Sequence, residues 1–266
     1  MLIKRIISSI VLAGLVAAAI FNQWMLTAVI ITLTVLGLYE FYTMLENKGI
    51  SIYKYFGIGM GAIIPFSIIF RFELTRKWEL SFIVLALLFL IIMQLKRRQN
   101  SGAVVGISTT LFGILYVSWF LSFLIKIRLL PDGIGLLVTV LAVTKLGDIG
   151  AYLVGSRFGR TPLMPRISPK KSVEGAVGGM VFSILGALVC KSMLPFSYWD
   201  MLLIGVFLNI LGQLGDLSES LMKRDCQVKD SAGTIPGMGG VLDLIDSLLF
   251  TAPVFYFYIN IVLKHF

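Results

Sequence analysis

The sequence predicts an all-α, polytopic integral membrane protein with about nine transmembrane helices and a cytoplasmic N-terminus. Apolar residues make up 58% of the 266 residues, and charged residues only 14%. Soluble domains have roughly 45–50% apolar and about 25% charged residues. The mean hydropathy of +0.93 agrees with this difference. No soluble core is large enough to bury so much apolar surface, so lipid must act as solvent for part of the chain.

Nine stretches are long and apolar enough to cross a bilayer as helices, since a span needs about 20 mostly apolar residues. They are 6–21, 23–45, 52–70, 79–95, 103–125, 133–155, 174–194, 199–218 and 243–263. Only Asn22 and Gln23 mark the boundary between the first two stretches. The first stretch also resembles a secretory signal peptide, because Lys4 and Arg5 precede an apolar run rich in alanine. A retained first helix agrees better with the loop charges.

The distribution of Lys and Arg orients the chain, because cytoplasmic loops carry an excess of these residues. With the N-terminus inside, the cytoplasmic segments hold 15 of the 23 Lys and Arg residues and the outside segments hold 7. The long polar segments 156–173 and 219–242 then face the cytoplasm. The net charge of +9 lies in short clusters between apolar runs, which indicates membrane topology and no nucleic-acid partner. We therefore expect a multi-pass protein of the cytoplasmic membrane.

The two parts of the chain differ in their acidic residues. Residues 1–130 are predicted to form lipid-facing helices with dimer contacts, and Glu40 is the main carboxylate away from a span end. Residues 131–266 are predicted to form the catalytic region, because nine of the 14 acidic residues lie within 140–250. Ionisable groups in a span are costly and need a partner or a function.

Three predicted spans carry carboxylates near their cytoplasmic ends: Asp148 on the sixth, Asp216 on the eighth, and Asp243 with Asp246 on the ninth. Asp243 and Asp246 are three residues apart and share one helix face. Oxygen ligands suit a hard cation, above all Mg²⁺. His265 is the only histidine and stands near the C-terminus, which disfavours zinc. The sequence therefore predicts a magnesium site formed by Asp216, Asp243 and Asp246.

A structural role is the alternative for these carboxylates. Lys145 lies three residues before Asp148 and can neutralise it, so ion pairing and a functional role both stay open for Asp148. Asp243 and Asp246 can favour the positive end of their helix. Like charges at this spacing repel each other, however, so capping explains the pair less well than a cation does.

Two polar segments beside the carboxylates have compositions that suit phosphate. Segment 166–175 contains two adjacent lysines and two hydroxyls before a predicted helix start, where free backbone N–H groups bind anions. Segment 220–240 combines basic residues with four glycines that let the backbone approach a ligand. The alternative is contact with anionic lipid head groups, which explains the basic residues but not the glycines or the interleaved Asp225 and Asp230. Together, these features predict phosphoryl or nucleotidyl transfer to a lipid-borne group at the cytoplasmic interface.

The second segment and its flanks match a longer pattern. The matching residues are Ser220, Met222, Lys223, Arg224, Lys229, Asp230, Pro236, Gly239, Gly240, Asp243 and Asp246. This pattern resembles the signature of the phosphatidate cytidylyltransferase (CDP-diglyceride synthase) family, and residues 148–175 resemble the other shared segment of that family. Met238 and Leu244 depart from it, since His and Arg are usual there, and we assign no role to either position. The resemblance is specific over about 145–250 and is only hydrophobic character over 1–140.

The resemblance implies a reaction of CTP with phosphatidate that gives CDP-diacylglycerol and pyrophosphate. It also implies a homodimer in the lipid bilayer, dependence on Mg²⁺, and a second, monovalent cation such as K⁺. The expected catalytic residues are Asp243, Asp246 and Lys229. The expected substrate-binding residues are Asp148, Ser168, Lys170, Lys171, Ser172, Lys223, Arg224, Asp230, Gly239 and Gly240.

Three other classes compete with this hypothesis. CDP-alcohol phosphotransferases carry a compact pattern of Asp, Gly and Arg that does not occur in the sequence. A CTP-dependent lipid-alcohol kinase would use the same residue chemistry and differ only in its products. A secondary transporter would place its polar residues near the bilayer midplane between inverted repeats, whereas here they gather at the predicted cytoplasmic ends.

Overall fold

The computed structural model describes residues 2–70, 78–97, 101–235 and 239–261. Its helices are α1 (Leu2–Phe21), α2 (Gln23–Asn47), α3 (Lys54–Ile69), α4 (Trp78–Leu95), α5 (Ala103–Gly113), α6 (Phe120–Arg128), α7 (Gly133–Phe158), α8 (Val173–Cys190), α9 (Tyr198–Asp225) and α10 (Val241–Ile261). A π-helical turn, Ile114–Trp119, joins α5 and α6 into one continuous helix, and a 3₁₀ turn, Lys191–Met193, follows α8. Two short strands, β1 (Pro162–Met164) and β2 (Ser168–Ser172), pair as an antiparallel hairpin.

The predicted fold class, an all-α polytopic membrane protein, is confirmed. Within the described residues, six helices are long and apolar enough to cross a membrane. They are Gln23–Asn47, Ala103–Arg128, Gly133–Phe158, Val173–Met193, Tyr198–Asp225 and Val241–Ile261. Lys54–Ile69 and Ser81–Leu95 are shorter apolar helices. The exact number of nine spans stays a prediction.

The boundary between α1 and α2 lies where the sequence predicts it. Asn22 has an extended backbone, and its side-chain oxygen accepts hydrogen bonds from the backbone nitrogens of Trp24 (3.0 Å) and Met25 (3.1 Å). Asparagine is a favoured N-cap because it satisfies donors that have no partner within the helix. One polar residue is therefore enough to end one apolar helix and begin the next.

The described residues pack as two units. The first consists of Met1–Ile125 and Cys226–Leu242, and the second of Lys126–Asp225 and Asp243–Phe266. In the first unit, Pro65 interrupts α3 and leaves the carbonyl of Gly61 without its helical donor. The hydroxyl of Ser118, on the π-helical turn, donates to that carbonyl at 2.5 Å. The predicted functional division at residue 130 stays a prediction.

In the second unit, small residues bring α7, α8 and α9 close together. A Cβ at Gly150 would meet the side chain of Phe182, and one at Gly179 would meet the backbone of Gly147. The buried hydroxyl of Ser183 donates to the carbonyl of Val143 at 2.9 Å. Close approach of helix backbones at small residues is the usual packing mode in membranes. This packing fixes the helices that carry the polar residues of the candidate site.

Two polar segments differ from the loops that the sequence predicts. Segment 156–173 contains the end of α7 and the β1–β2 hairpin, and segment 219–242 begins as the last two turns of α9. The prediction ended α9 where its apolar residues end, at residue 218. The helix continues because Glu219 and Lys223 are four residues apart and form an ion pair along one face.

Candidate active site

Three carboxylates of α9 and α10 come together in the second unit. One oxygen from each of Asp216, Glu219 and Asp246 lies within 4.8 Å of the other two. Glu219 is fully buried and Asp246 is 7% exposed. Such a cluster of oxygens fits a hard divalent cation, because carboxylates repel one another unless a positive charge lies between or beside them. Asp216 and Asp246 of the predicted magnesium site belong to this cluster and Asp243 does not, and the binding of magnesium stays a prediction.

Two lysines neutralise this cluster. The ammonium group of Lys171, on β2, lies 2.5 Å from Asp216 Oδ2. Lys223 forms ion pairs with Glu219 Oε2 and, at 2.6 Å, with Asp243 Oδ1. Lys223 is 9% exposed, so the pair with Glu219 is removed from water. The predicted residues Lys171, Lys223, Asp216 and Asp243 thus belong to one connected network.

Asp148 joins the same network from α7. Lys145 Nζ lies 2.9 Å from Asp148 Oδ2 and also donates to the carbonyl of Leu244 at 3.1 Å. The hydroxyl of Ser247 is 3.1 Å from Asp148 Oδ1 and 3.1 Å from Asp246 Oδ1. The structural alternative for Asp148, an ion pair with Lys145, is therefore present. A contact of Asp148 with substrate stays a prediction.

The hairpin positions the other basic residues of the first segment. Lys170 and Lys171 are neighbours on β2, so their side chains lie on opposite faces of the strand, and Lys170 is exposed. Ser168 is half-buried at the start of β2. Arg224 Nε donates to the carbonyl of Ile167 at 3.2 Å, which attaches the hairpin to the end of α9.

Ser172 has a structural role in addition to its predicted contact with substrate. Its hydroxyl accepts a hydrogen bond from Gly175 N at 3.1 Å and caps α8. Glu174, in the first turn of α8, accepts hydrogen bonds from the backbone nitrogens of Arg160 and Thr161 at 3.0–3.2 Å. These contacts hold the chain between α7 and β1 against the start of α8.

The remaining predicted residues lie in the first unit, in the segment 226–242. Lys229 and Asp230 are exposed. Gly239 has φ of +99°, a conformation that favours glycine, and Gly240 is buried. The family positions Pro236 and Met238 lie outside the described residues. Whether Lys229, Asp230, Gly239 and Gly240 contact substrate stays a prediction.

The structure adds residues that the prediction left out of the site. Glu219 lies in the carboxylate cluster, whereas the described carboxylate of Asp243 pairs with Lys223. The signal for Glu219 was its position three residues after Asp216 and four before Lys223, which places all three on one face of α9. Ser247 bridges Asp148 and Asp246 through its hydroxyl. Because serine is uncharged, no pattern of charged residues in the sequence could have indicated it.

Comparison with known proteins places the chain among relatives along nearly its whole length. The model of a family described as the cytidylyltransferase family matches residues 3–262. A Synechocystis protein named phosphatidate cytidylyltransferase is 33% identical over 98% of this chain and 97% of its own length. A Thermotoga maritima protein of the same name is 34% identical over 95% of this chain and 94% of its own length. A Bacillus subtilis protein of that name is 42% identical over 54% of each chain. The chain belongs to the cytidylyltransferase family.

Proposed function

We propose that this protein transfers the cytidylyl group of CTP to phosphatidate and releases pyrophosphate, so that CDP-diacylglycerol is the product. The observation that carries the proposal is the cluster of Asp216, Glu219 and Asp246 bordered by Lys171 and Lys223, in a chain whose relatives are named phosphatidate cytidylyltransferase. Carboxylates that can hold a divalent cation, next to ammonium groups, are a usual combination for binding the phosphates of a nucleotide. The relatives' names supply the identity of the nucleotide and of the lipid.

The reaction needs no covalent enzyme intermediate, because the acceptor phosphate is itself a nucleophile. An oxygen of the phosphatidate phosphate forms a bond to the α-phosphorus of CTP. The bond from that phosphorus to the oxygen of the β-phosphate breaks, and pyrophosphate leaves with the electron pair. Lys171 and Lys223 supply the ammonium groups that bind phosphate oxygens, and Arg224 and Lys229 are further candidates.

Asp216, Glu219 and Asp246 are the residues that would hold a divalent cation, with Asp243 as the further predicted ligand. When bound, Mg²⁺ neutralises the negative charge of the phosphates as the leaving group departs. The chain's own contribution is to bury Glu219 and Asp246 and to bring Asp216 and Glu219 of α9 next to Asp246 of α10. Lys223 forms ion pairs with both Glu219 and Asp243 and so places one positive charge between two carboxylates.

The cellular setting is part of the proposal. The excess of Lys and Arg in the predicted inside segments, 15 against 7 in the outside ones, supports a cytoplasmic site in the cytoplasmic membrane, with the segments 156–173 and 219–242 on that side. Cysteines introduced into these segments and tested with a membrane-impermeant thiol reagent on intact and opened cells check this orientation. The homodimer and the second, monovalent cation rest on the family resemblance. Light scattering of the detergent-solubilised protein tests the dimer.

The test of the activity is a product assay with the purified protein, CTP, Mg²⁺ and phosphatidate in detergent micelles. Mass spectrometry is expected to find CDP-diacylglycerol, with pyrophosphate formed in equal amount. Parallel reactions with ATP, GTP or UTP are the specificity controls. If a nucleotide-linked lipid forms from one of these nucleotides but not from CTP, that nucleotide, and not CTP, is the donor. Absence of any such lipid would overturn the proposed function.

A further inference from the structure

A buried carboxylate on α2 plays no part in the site described above. Glu40 is 3% exposed and accepts hydrogen bonds from four donors of the segment 231–242, all within the first unit. Its Oε1 accepts from Thr234 Oγ1 at 2.5 Å and from Val241 N at 2.9 Å. Its Oε2 accepts from Ser231 Oγ at 3.1 Å and from Leu242 N at 2.9 Å.

The two backbone contacts explain why a carboxylate stands at this position. Val241 and Leu242 begin α10, and the first N–H groups of a helix have no acceptor within the helix. A carboxylate is the favoured partner there because it also meets the positive end of the helix dipole. Glu40 therefore caps α10 from a different helix, and the two hydroxyl contacts fix the chain that leads into the cap.

Gly240, the second glycine of a pair in this segment, fits against the same carboxylate. A Cβ at Gly240 would collide with Glu40 Oε2 and with the hydroxyl of Ser231. Gly239, which precedes it, has φ of +99°, and its carbonyl accepts from Ile235 N at 2.9 Å. Gly240, one of the glycines predicted to approach a ligand, thus already makes a close approach to Glu40.

We propose that Glu40 is a positioning residue for the reaction. Its carboxylate holds Ser231 and Thr234 on one side and fixes the first turn of α10, the helix that carries Asp243 and Asp246, on the other. This inference rests on the proposed function, since it assigns Glu40 a role in cytidylyl transfer. A displacement of about 1 Å at a reacting group can lower a rate about 100-fold, so a support of this kind affects turnover without touching substrate.

The test compares Glu40→Gln with Glu46→Gln, a control on the same helix whose side chain is 43% exposed and pairs with Lys54. The amide has one oxygen instead of two, and its NH₂ group cannot accept from the second backbone N–H. We expect Glu40→Gln to lower kcat about 10- to 100-fold, with smaller changes in KM for CTP and phosphatidate. Thr234→Val is expected to lower kcat less, and Thr234→Ser, which keeps the hydroxyl, to restore it.

Hydrogen exchange provides a readout that does not depend on activity. Peptides that cover 226–242 are expected to exchange faster in Glu40→Gln than in the wild type or in Glu46→Gln, while α7 and α8 exchange unchanged. Wild-type kcat in Glu40→Gln, unchanged exchange of 226–242, or a loss of activity that only follows the loss of folded protein would each overturn the inference. If the wild type forms no CDP-diacylglycerol, the proposed function fails instead, and exchange still reports whether Glu40 orders the segment.

Discussion

Among single residues, Lys223 is the cation that neutralises two carboxylates of the candidate site. Its ammonium group contacts two carboxylates, Glu219 and Asp243, and only 9% of the residue is exposed. A buried ion pair contributes little net stability compared with apolar packing, but removal of one partner leaves an uncompensated charge. Loss of Lys223 is therefore expected to lower the stability of the protein by more than the small net stability of the ion pairs themselves.

Lys223→Met is expected to lower the free energy of unfolding by about 3–5 kcal/mol, because Glu219 then remains buried without its cation. The double variant Lys223→Met, Glu219→Gln removes both charges and should recover much of the thermal stability without recovering activity. Thermal unfolding in detergent measures both effects. A single variant that unfolds at the wild-type midpoint would show that Lys223 does not compensate Glu219.

Asp246→Asn is expected to lower Mg²⁺-dependent turnover by about 100-fold or more. Even the substitution of residues that only hydrogen-bond to metal ligands typically lowers metal affinity or activity by about 10- to 100-fold. The matched control is Asp200→Asn at the start of α9, where Asp200 accepts from Ser197 N at 2.9 Å and asparagine can replace it. Titration of activity with Mg²⁺ measures the difference. Equal Mg²⁺ dependence in both variants would remove Asp246 from the metal site.

At the scale of elements, the β1–β2 hairpin presents Lys171 to Asp216 and ends at the cap of α8. The hairpin could not be predicted from the sequence, because β2 (Ser168–Ser172) consists only of serine, proline and lysine and shows no alternation of apolar and polar side chains. Helix α9 was predicted too short for a similar reason. Its last turns are charged, and ion pairs along the helix replace apolar packing there.

Ser172→Ala is expected to destabilise the protein by about 1 kcal/mol, because the N-cap of α8 loses its acceptor. Ser156→Ala is the control, since Ser156 is exposed on α7 and its hydroxyl only donates to the carbonyl of Leu153. Denaturation of both variants in the same detergent measures the difference. If Ser172→Ala lowers turnover with unchanged stability, the role of Ser172 is contact with substrate and not capping.

At the scale of the whole molecule, composition was sufficient for the membrane fold class, and local motifs were sufficient for the family. The contact of Glu40 with Ser231 spans 191 residues, and no local pattern predicts such a pairing. Glu40 was visible in the sequence only as a carboxylate inside an apolar stretch. Asp148, Asp216 and Asp246 could be predicted as site residues because each is an ionisable residue in an apolar stretch, where it needs a partner or a function.

The fate of two labels in CTP distinguishes cytidylyl transfer from phosphoryl transfer. In reactions of the purified protein with phosphatidate and Mg²⁺, the account predicts that label from the α-phosphate enters the lipid and label from the γ-phosphate leaves as pyrophosphate. A lipid-alcohol kinase, supplied with a lipid alcohol in a parallel reaction, would instead place the γ-label in the lipid and release CDP. Recovery of γ-label in the lipid, or of α-label only in soluble products, would contradict the account.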